Sequence, residues 1–408
     1  MFNMKLQNPK SKNNLVNTKS INNNSIINNT NISTKFKINN IHTIFSPNDL
    51  NFIKDQVSKN KCQILMLTKN DWSNTCFRYK KCFELQNINC ILIKLNHHIF
   101  NYPEQGIVSN VKYNQTSEYP VIININNEYF INIIRLTASK VKYIWCHAST
   151  IFMFKNIPIF KYFRNKEFIV AHGGTTYREN PQKVGNIFNK FVSKTLIQCP
   201  DLLDLNTGNK NEELIYYPID LNVFKCNFSF KHNQKLVFGH NPSTSTIKGT
   251  QTILDVLKLF QNQIIYSGQQ KQYRLHSEER ERVSWINQIK KYQKYDVYIE
   301  TLNPTINGKP YGEWGNTCLE AIASGCLVIT NCIHLDKYIK FYKNTPPLLI
   351  ANTKDELIEQ IKKLLSMSRS EILEEKKKQY EWIKNYHSMN KCGERLVKFL
   401  KKQDKLRI

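Results

Sequence analysis

From Ile41 onward, the sequence alternates short apolar runs of strand length with segments of helical spacing. The run QILMLT (63–68) is followed by a polar loop, by the amphipathic pattern TCFRYKKCFELQ (75–86) and by the apolar run CILIKL (90–95). Two apolar strands joined by a crossover helix predict a parallel pair with a right-handed connection. This order predicts an α/β fold, in which helices cover both faces of a parallel sheet.

A second series of the same kind begins after a polar stretch near residues 226–234. LVFGHNP (236–242) predicts a strand that runs into a loop, TQTILDVLKLFQ (250–261) predicts a helix, and IIYSG (264–268) predicts the next strand. Further short strands and helices alternate after it. The predicted architecture is therefore two doubly wound, Rossmann-like α/β domains that face each other across a cleft.

These patterns divide the chain into four segments. Residues 1–40 are rich in Asn, Ser, Lys and Thr and bury too little apolar surface to offset the entropy of ordering, so they predict a disordered Asn-rich tail. Residues 41–228 predict the N-terminal Rossmann-like domain, and residues 229–385 predict the C-terminal one. Residues 386–408 predict a basic C-terminal helix that packs back on the N-terminal domain.

Two local signals predict structure within these domains. VIININNEYFINII (121–134) predicts a β-hairpin that turns at the asparagine pair 126–127. Ser368, which precedes Glu371 by three residues, predicts a capping box at the start of a helix.

The charge balance favours a partner that is rich in phosphate. Lys and Arg number 58 against 32 Asp and Glu, which leaves a net charge of +26. Such an excess is typical of proteins that bind nucleotides, nucleic acids or anionic membranes. Lys, Asn and Ile are abundant throughout, so a drift in composition also explains part of the charge. No helix-turn-helix or zinc-finger pattern is visible.

Cysteine usage and hydropathy bear on the compartment. The 11 cysteines form no C-x-x-C pair and fit no zinc module, so they predict buried, reduced thiols in a reducing compartment. The first residues, MFNMKLQNPKSKNN, lack the apolar core of a signal peptide, and no apolar run approaches the roughly 18 residues that span a bilayer. The sequence therefore predicts a cytoplasmic protein without a transmembrane segment, with peripheral contact to anionic surfaces through its basic residues.

Ligands of open parallel sheets bind beyond the carboxyl ends of the strands, and two loops of the first domain have fitting residues. NDWSN (70–74) ends at Asn74, before a helix whose amides can hold an anion or a hydroxyl. In AHGGTTYRE, His172 can donate to a sugar hydroxyl, Gly173 allows close backbone approach, and Arg178 can pair with a phosphate. Each loop taken alone is also consistent with an ordinary polar turn.

Two loops of the second domain carry the clearer signals. In FGHNPSTSTIKGT (238–250), Lys248 stands just before a helix, where its ammonium group and the helix amides can share a diphosphate. In GKPYGEWGNTCLEAIASGCLVIT (308–330), a Gly-rich loop opens an apolar helix that carries Glu320. A carboxylate on a buried helix face needs a hydroxyl or cationic partner, and a ribose diol suits it. The alternative interpretations are that Lys248 is an ordinary surface lysine and that Glu320 faces the solvent.

This last segment resembles the retaining GT-B glycosyltransferases of family 4 (group 1), which carry E-x-F-G, then L-E-A-x-A-x-G on a helix and P-V-I on a strand. HGG with Arg178 is similar to their HG-x-x-x-R loop, and YYPIDLNVF (216–224) to their P-x-x-D-x-x-x-F. HNPSTSTIKGT is similar to their phosphate loop, which ends in K-G-T. The four motifs occur in the family's order and span roughly residues 60–390. The resemblance implies the GT-B fold.

The resemblance also implies an activity and a set of residue roles. The second domain would bind a UDP- or GDP-linked sugar as co-substrate, and the first would bind an acceptor: a glycan, lipid, protein or nucleic acid. A hexose or N-acetylhexosamine would be transferred with retention and without a metal or other cofactor. Glu320 would bind the ribose and Lys248 the diphosphate. The implied catalytic residues are His172, Lys248 and Glu313; the implied donor-binding residues are Gly239, Asn241, Lys248, Gly312, Gly315, Asn316, Thr317 and Glu320; and the implied acceptor- or sugar-facing residues are Asn74, Gly173 and Arg178.

Two departures from the family pattern leave alternatives open. Gly312 stands where the family has its first glutamate, and Glu313 is one residue out of place. No arginine precedes Lys248 in its loop, so Arg178 or Arg274 would have to compensate for the missing charge. The alternatives are a DNA-directed glycosyltransferase that uses the basic surface, and a non-catalytic GT-B protein that binds nucleotide sugars or nucleic acid.

Overall fold

The structure is a computed structural model. It describes residues 44–98, 100–104, 106–116, 121–192, 194–203, 205, 212–242, 245, 247–270, 283–302, 305–306, 309–310 and 314–402. The predicted tail at residues 1–40 lies outside the described residues, and so do Arg274, Gly312 and Glu313.

The first half of the chain builds a parallel sheet with a smaller sheet beside it. Its strands are β1 (Ile64–Thr68), β2 (Cys90–Lys94), β3 (Ile107–Val108), β4 (Asn114–Gln115), β5 (Ile122–Ile125), β6 (Tyr143–His147), β7 (Ile151–Phe154), β8 (Ile157–Pro158), β9 (Glu167–His172), β10 (Lys194–Ile197) and β11 (Glu212–Leu214). Its helices are α1 (Pro47–Ser58), α2 (Thr75–Glu84), α3 (Glu128–Lys140), α4 (Ile159–Tyr162), α5 (Gly174–Glu179) and α6 (Pro181–Phe188), with 3₁₀ turns at Trp72–Asn74 and Pro200–Leu202. Seven strands form the main sheet in the order β11-β10-β9-β6-β1-β2-β3, and all of its pairs are parallel. Four further strands form the smaller sheet, in the order β4-β5-β7-β8, with both parallel and antiparallel pairs.

The second half repeats the plan. Its strands are β12 (Val237–Gly239), β13 (Ile265–Tyr266), β14 (Val297–Ile299), β15 (Thr305–Ile306), β16 (Lys309–Pro310), β17 (Leu327–Thr330) and β18 (Leu349–Ile350). Its helices are α7 (Thr250–Leu259), α8 (Trp285–Tyr292), α9 (Asn316–Ala323), α10 (Leu335–Tyr342), α11 (Lys354–Ser366), α12 (Arg369–Tyr386) and α13 (Met389–Lys401). Five strands form a parallel sheet in the order β13-β12-β14-β17-β18, and β15 pairs with β16. The prediction of two α/β domains with parallel sheets is confirmed.

The central strands of both sheets are buried on both faces, which is why they read as unbroken apolar runs rather than alternating ones. Every residue of β1, β2 and β17 is buried. In the first domain, α2 and α13 cover one face of the sheet and share one apolar cluster with it. Helix α13 packs so closely on α2 that a Cβ on Gly393 would lie 2.5 Å from the Cys82 carbonyl oxygen. Helix α13, the last helix in the described ranges, therefore returns to the first domain.

The chain crosses between the domains at two neighbouring segments. The amide of Ile219, in the segment that follows β11, donates to the His387 carbonyl oxygen at 2.8 Å. Ile219 and Ser388 form an isolated parallel bridge between the outgoing and returning segments. None of the helices in the described ranges is long and apolar enough to cross a bilayer.

The predicted hairpin at residues 121–134 is wrong. Only β5 is extended, and the helix α3 begins directly after it. The Asn127 side chain accepts a hydrogen bond from the Phe130 amide at 2.9 Å, so it caps the helix instead of turning a hairpin. Phe130 and the isoleucines 131, 133 and 134 are buried at helical spacing, and this packing decides between the two structures.

The predicted capping box at the start of α12 is confirmed. The Ser368 hydroxyl accepts from the Glu371 amide, and the Glu371 carboxylate accepts from the Ser368 amide at 2.7 Å. Each side chain satisfies an amide that the first helical turn would otherwise leave without a partner.

Candidate functional site

A cavity of about 450 Å³ lies between the two domains. The first domain contributes Ser73, Phe100 and Tyr102 to its wall. The second domain contributes the residues that follow β12 and β13, one side of α8 and the start of α9: Asn241, Pro242, Ser267, Gly268, Gln269, Gln270, Val283, Trp285, Gln288, Lys291, Lys294, Tyr295, Asn316, Thr317 and Glu320. The cavity therefore lies at the carboxyl ends of the second sheet's strands, where open α/β sheets bind ligands.

The N-terminal end of α9 borders this cavity. Gly315 precedes the helix in extended conformation, with φ −116° and ψ −165°, and no side chain among the described residues caps this end. Asn316 and Thr317, the first two helical residues, line the cavity. Their amides belong to the first turn, which has no acceptor within the helix, and the helix dipole adds a partial positive charge there. This end of α9 is suited to an anion.

Lys248 is held beside the start of α9 by a buried carboxylate. Its ammonium group forms an ion pair with Glu300 Oε1. The hydroxyl of Thr317 donates to the same oxygen at 2.8 Å, and the hydroxyl of Thr330 donates to Glu300 Oε2 at 3.0 Å. The Lys248 side chain keeps about 19% of its surface exposed, whereas the Glu300 side chain is fully buried. Glu300 therefore fixes a cation next to the anion-binding end of the helix, although Lys248 itself is not part of the cavity wall.

Glu320 lies one turn further along α9, at the cavity wall, and has partners within the protein. Its Oε1 accepts from Arg78 Nη2 at 2.5 Å and from the indole Nε1 of Trp285 at 3.1 Å. Arg78 belongs to α2 of the first domain, so this ion pair joins the two domains. The cationic partner that the sequence required for this carboxylate comes from the protein itself.

Of the two predicted residues at the end of β12, Asn241 and Gly239, only Asn241 is part of the cavity wall. Asn241 lines the cavity, and its side-chain amide donates to the Tyr295 hydroxyl at 2.6 Å. Gly239 lies within β12, where a Cβ would be 2.2 Å from the Tyr295 ring. The structure thus gives Gly239 a packing role beneath the cavity, because the Tyr295 ring occupies the space of a side chain.

We expect Gly239→Ala to lower the free energy of unfolding by about 1–3 kcal/mol, because the Tyr295 ring must leave its position. Urea unfolding of both proteins measures the change. Gly315→Ala is the matched control, because its Cβ would meet the Glu300 carboxylate only at 3.7 Å, an ordinary contact. Equal stability of the Gly239 variant and the wild type would contradict this packing role.

His172 is fully buried and lies away from the cavity wall. Its Nδ1 is 2.8 Å from the Ser149 hydroxyl, and its ring stacks on Tyr177 with centroids 4.0 Å apart. Nε2 has no hydrogen-bond partner within the described part of the chain. Burial lowers the pKa of His172 to about 3, so the imidazole is neutral at physiological pH.

The other predicted residues of the first domain also have partners. Arg178 donates to Asp201 Oδ2 from Nε at 2.8 Å and from Nη2 at 2.6 Å. A Cβ on Gly173 would collide with the Gln198 side chain at 1.7 Å. Asn74 donates to the Glu104 carbonyl oxygen at 2.9 Å and lines a second cavity, of about 180 Å³, instead of the main one.

The structure therefore brings together five predicted residues around the main cavity or its edge in the second domain: Asn241, Gly315, Asn316, Thr317 and Glu320. Lys248 joins them through Glu300. His172, Gly173, Arg178 and Asn74 lie outside the cavity wall. The positions of Gly312 and Glu313 lie outside the described residues, and the roles implied for all of these residues stay predictions.

Three further residues were not predicted from the sequence: Arg78, Trp285 and Glu300. Glu300 directly follows β14, so the rule that ligands bind after parallel strands could have pointed to it. Arg78 is one of three cations on α2 and lies among the apolar positions of that helix, and this is a weak signal. Nothing in the local sequence around Trp285 indicates that its indole reaches the carboxylate of Glu320.

The loop before α2 contains a buried carboxylate that caps this helix. Asp71 accepts from the Cys76 amide at 2.7 Å and from the Phe77 amide at 2.8 Å. Burial raises the pKa of Asp71 to about 6, even though these hydrogen bonds and the nearby cations of Lys94 and Arg78 oppose the shift.

Because the folded state raises this pKa above its unfolded value of 3.8, Asp71 stabilises the fold below about pH 4, and this contribution is lost as the pH rises through 6. The loss is on the order of 2–3 kcal/mol. We therefore expect the stability of Asp71→Asn, measured relative to wild type by urea unfolding, to improve between pH 5 and pH 7. A stability difference that does not change over this range would contradict the raised pKa.

Solved structures of low sequence identity share the fold. HepE of Anabaena in complex with UDP-glucose matches with a TM-score of 0.54 and 11% identity, over 83% of this chain and 99% of that one. A glycosyltransferase from Rickettsia africae matches with a TM-score of 0.56 and 15% identity, over 84% and 100%. Sucrose-phosphate synthase from Thermosynechococcus elongatus matches with a TM-score of 0.51 and 9% identity, over 83% and 98%. No protein-family model matches the sequence, and no curated protein does either.

These neighbours have the GT-B fold, and the likeness confirms the predicted fold class: two Rossmann-like domains facing a cleft. At these identities, the likeness concerns the fold alone.

Proposed function

We propose that the chain is a glycosyltransferase that moves a hexose or N-acetylhexosamine from a nucleotide-diphosphate sugar to an acceptor. The observation that carries this proposal is the cavity between the domains, where the open end of α9, Asn241 and Glu320 converge. Its volume of about 450 Å³ is in the range of small-molecule sites. HepE, which shares the fold, has been solved with UDP and with UDP-glucose, and we propose a UDP- or GDP-linked donor here.

In this proposal, the diphosphate lies at the start of α9. The amides of Asn316 and Thr317 would donate to phosphate oxygens, and Lys248 would supply the positive charge. Negative charge develops on the leaving diphosphate as the glycosidic bond breaks, so a cation that is already in place lowers the barrier. Glu300 supports this role because it holds the ammonium group in position before the donor arrives. We propose that these groups replace a metal ion.

For the sugar end, we propose transfer with retention of configuration, as in family 4, with Glu313 beside the sugar and His172 as a donor to a sugar hydroxyl. The Nε2 atom of His172 supports its assignment, because a buried ring nitrogen without a protein partner in the described ranges is suited to a ligand hydroxyl. Gly173, Arg178 and Asn74 stay on the acceptor side of this proposal.

A thermal-shift screen with UDP, GDP and the common nucleotide sugars, followed by mass spectrometry for donor hydrolysis, tests the proposal. We expect one nucleotide series to raise Tm, by an amount set by ligand concentration relative to Kd, and its sugar conjugate to be hydrolysed slowly. Glycan, lipid, protein and DNA acceptors are then compared for faster turnover. If no nucleotide sugar raises Tm or is consumed, the proposal fails.

One observation favours a second candidate, a non-catalytic protein that binds nucleotide sugars. Both charges expected to meet the donor already have partners of opposite charge: Lys248 has Glu300, and Glu320 has Arg78. Saturable donor binding without hydrolysis or transfer to any acceptor would select this candidate.

We also propose a reducing, cytoplasmic compartment. All eleven cysteines are described, and all are free thiols. Burial raises the pKa of several of them, for example Cys146 and Cys326, each to about 12, so they stay protonated. Free thiols in this number are typical of proteins from reducing compartments.

A further inference from the structure

An arginine of the first domain reaches across the cleft to two residues of the proposed ribose and phosphate sites in the second. Arg78 Nη2 donates to Glu320 Oε1 at 2.5 Å, and Arg78 Nη1 donates to the Asn316 side-chain oxygen at 2.9 Å. The same Nη1 lies 3.5 Å from the carbonyl oxygen of Pro218, in the segment that connects the domains. One planar guanidinium group therefore fixes a carboxylate, the first residue of α9 and the interdomain connection together.

The burial of this pair makes its geometry specific. The side chains of Arg78 and Glu320 are each only 5% exposed. A buried ion pair is held in one arrangement, because a partner that moved away would leave an uncompensated charge out of water. Trp285 restricts the carboxylate further, since its indole donates to the same oxygen at 3.1 Å.

Both hydrogen bonds that the described residues donate to Glu320 go to Oε1. This leaves Oε2 to accept from a ligand, and Glu320 lies at the wall of the main cavity. Arg78 is absent from that wall and lines the smaller cavity of about 180 Å³. The guanidinium group therefore contacts the carboxylate without being part of the main cavity's wall.

We propose that Arg78 is a positioning residue for the nucleotide: it holds Glu320 so that Oε2 accepts hydrogen bonds from the ribose diol. This inference rests on the proposed function. It makes the donor site incomplete without the first domain, because the residue that orients the ribose ligand belongs to α2. Arg78 acts through Glu320 and Asn316 and takes no part in the transfer itself.

The opposite role is physically distinct. If Arg78 only occupies Glu320 until a donor displaces it, then its removal frees the carboxylate and strengthens nucleotide binding. If Arg78 orients Glu320, its removal weakens selection for the ribose hydroxyl. The two roles therefore predict changes of opposite sign in the affinity for ribonucleotides.

Calorimetric titration of the full chain with UDP, GDP and their 2′-deoxy forms tests the inference. We expect wild type to bind the better ribonucleotide roughly tenfold more tightly than its 2′-deoxy form, because a missing hydroxyl leaves a buried carboxylate oxygen without a partner. For Arg78→Gln, we expect this ratio to fall to about twofold or less through weaker ribonucleotide binding. Arg78→Lys keeps the positive charge but loses the planar group that donates to two acceptors at once, so we expect a ratio of ribonucleotide to 2′-deoxy affinity between those of the wild type and Arg78→Gln.

Lys376→Gln is the matched control. Lys376 forms another fully buried ion pair, with Asp296 at 3.4 Å, in the second domain and away from the cavity wall. Its loss destabilises the protein for the same physical reason as the loss of Arg78, but the ratio of ribose to deoxyribose affinity is expected to stay at the wild-type value. If Arg78→Gln does not fold, Arg78→Lys carries the test.

Wild-type selectivity in Arg78→Lys or Arg78→Gln, or tighter ribonucleotide binding by either, would overturn the positioning role while the proposed function stands. If wild type binds neither UDP nor GDP, the proposed function fails and this inference fails with it. If wild type binds a nucleotide but does not distinguish the 2′-deoxy form, Glu320 is not the ribose ligand and the inference is overturned.

Discussion

Lys248→Ala is expected to lower kcat for transfer or donor hydrolysis by about 10²–10³-fold, with a smaller loss in nucleotide binding. Glu300, whose Oε1 also accepts from the Thr317 hydroxyl, holds the Lys248 ammonium group beside the start of α9. In the proposed reaction, the charge on the diphosphate grows as the sugar leaves, so the interaction is stronger in the transition state than in the bound donor. Steady-state kinetics and UDP or GDP titration separate the two effects.

Two controls separate this loss from a general effect on folding. Lys258→Ala removes an exposed lysine from α7, the helix that follows Lys248, and is expected to leave kcat unchanged. Lys248→Met/Glu300→Gln removes both charges of the pair, so no carboxylate is left buried without a cation, and it is expected to show the same loss of kcat with less loss of Tm. Wild-type kcat in either Lys248 variant would contradict the proposed role of the ammonium group.

The fold is expected to unfold in mild acid, between about pH 6 and pH 4. Burial lowers the pKa of six histidines among the described residues: His98 and His240 to about 4, His147, His172 and His387 to about 3, and His334 in the same direction. Each is neutral in the folded state and takes up a proton on unfolding, with an unfolded pKa near 6.5. Their contribution to stability is fully present above pH 6.5 and is lost as the pH falls toward the folded values, at about 1.4 kcal/mol per pH unit for each histidine.

The raised pKa of Asp71 opposes this trend by one proton, so the five histidines with the largest shifts leave an expected net uptake on acid unfolding of about four protons. A chain of ordinary stability, about 5–15 kcal/mol, then unfolds before pH 4 is reached. Circular dichroism against pH, with urea unfolding at each pH, measures both the midpoint and the proton uptake.

His147→Gln is expected to reduce the measured proton uptake by about one, because this buried ring no longer titrates on unfolding. His97→Gln is the matched control, since it makes the same exchange at an exposed position of the same domain. A native spectrum that persists at pH 4 would contradict the prediction.

The parallel architecture could be predicted from the sequence because a strand that is buried on both faces consists of an unbroken run of apolar residues. QILMLT and LVIT mark β1 and β17 for this reason. The segment 121–134 could not be assigned in the same way, since its asparagine pair suits both a hairpin turn and a helix cap. Tertiary packing of Phe130 and its neighbours decides for the helix.

The residues that the second domain contributes to the candidate site were partly predictable, because several of them belong to one local sequence motif. Asn316, Thr317 and Glu320 lie on one helix that follows a Gly-rich loop, and this spacing is visible in the sequence. The partners of these residues were not predictable. Arg78 and Glu320 are 242 positions apart and meet only because the two domains face each other. The ion pair between Lys248 and Glu300 likewise depends on how the end of β14 lies beside the loop before α7.

A crystal structure of the full chain with UDP or GDP bound tests the central claim most directly. The account predicts the diphosphate at the amides of Asn316 and Thr317, within reach of Lys248, and the ribose hydroxyls at Glu320 Oε2 with Arg78 still on Oε1. A nucleotide bound away from the start of α9, or a ribose that does not touch Glu320, would contradict it.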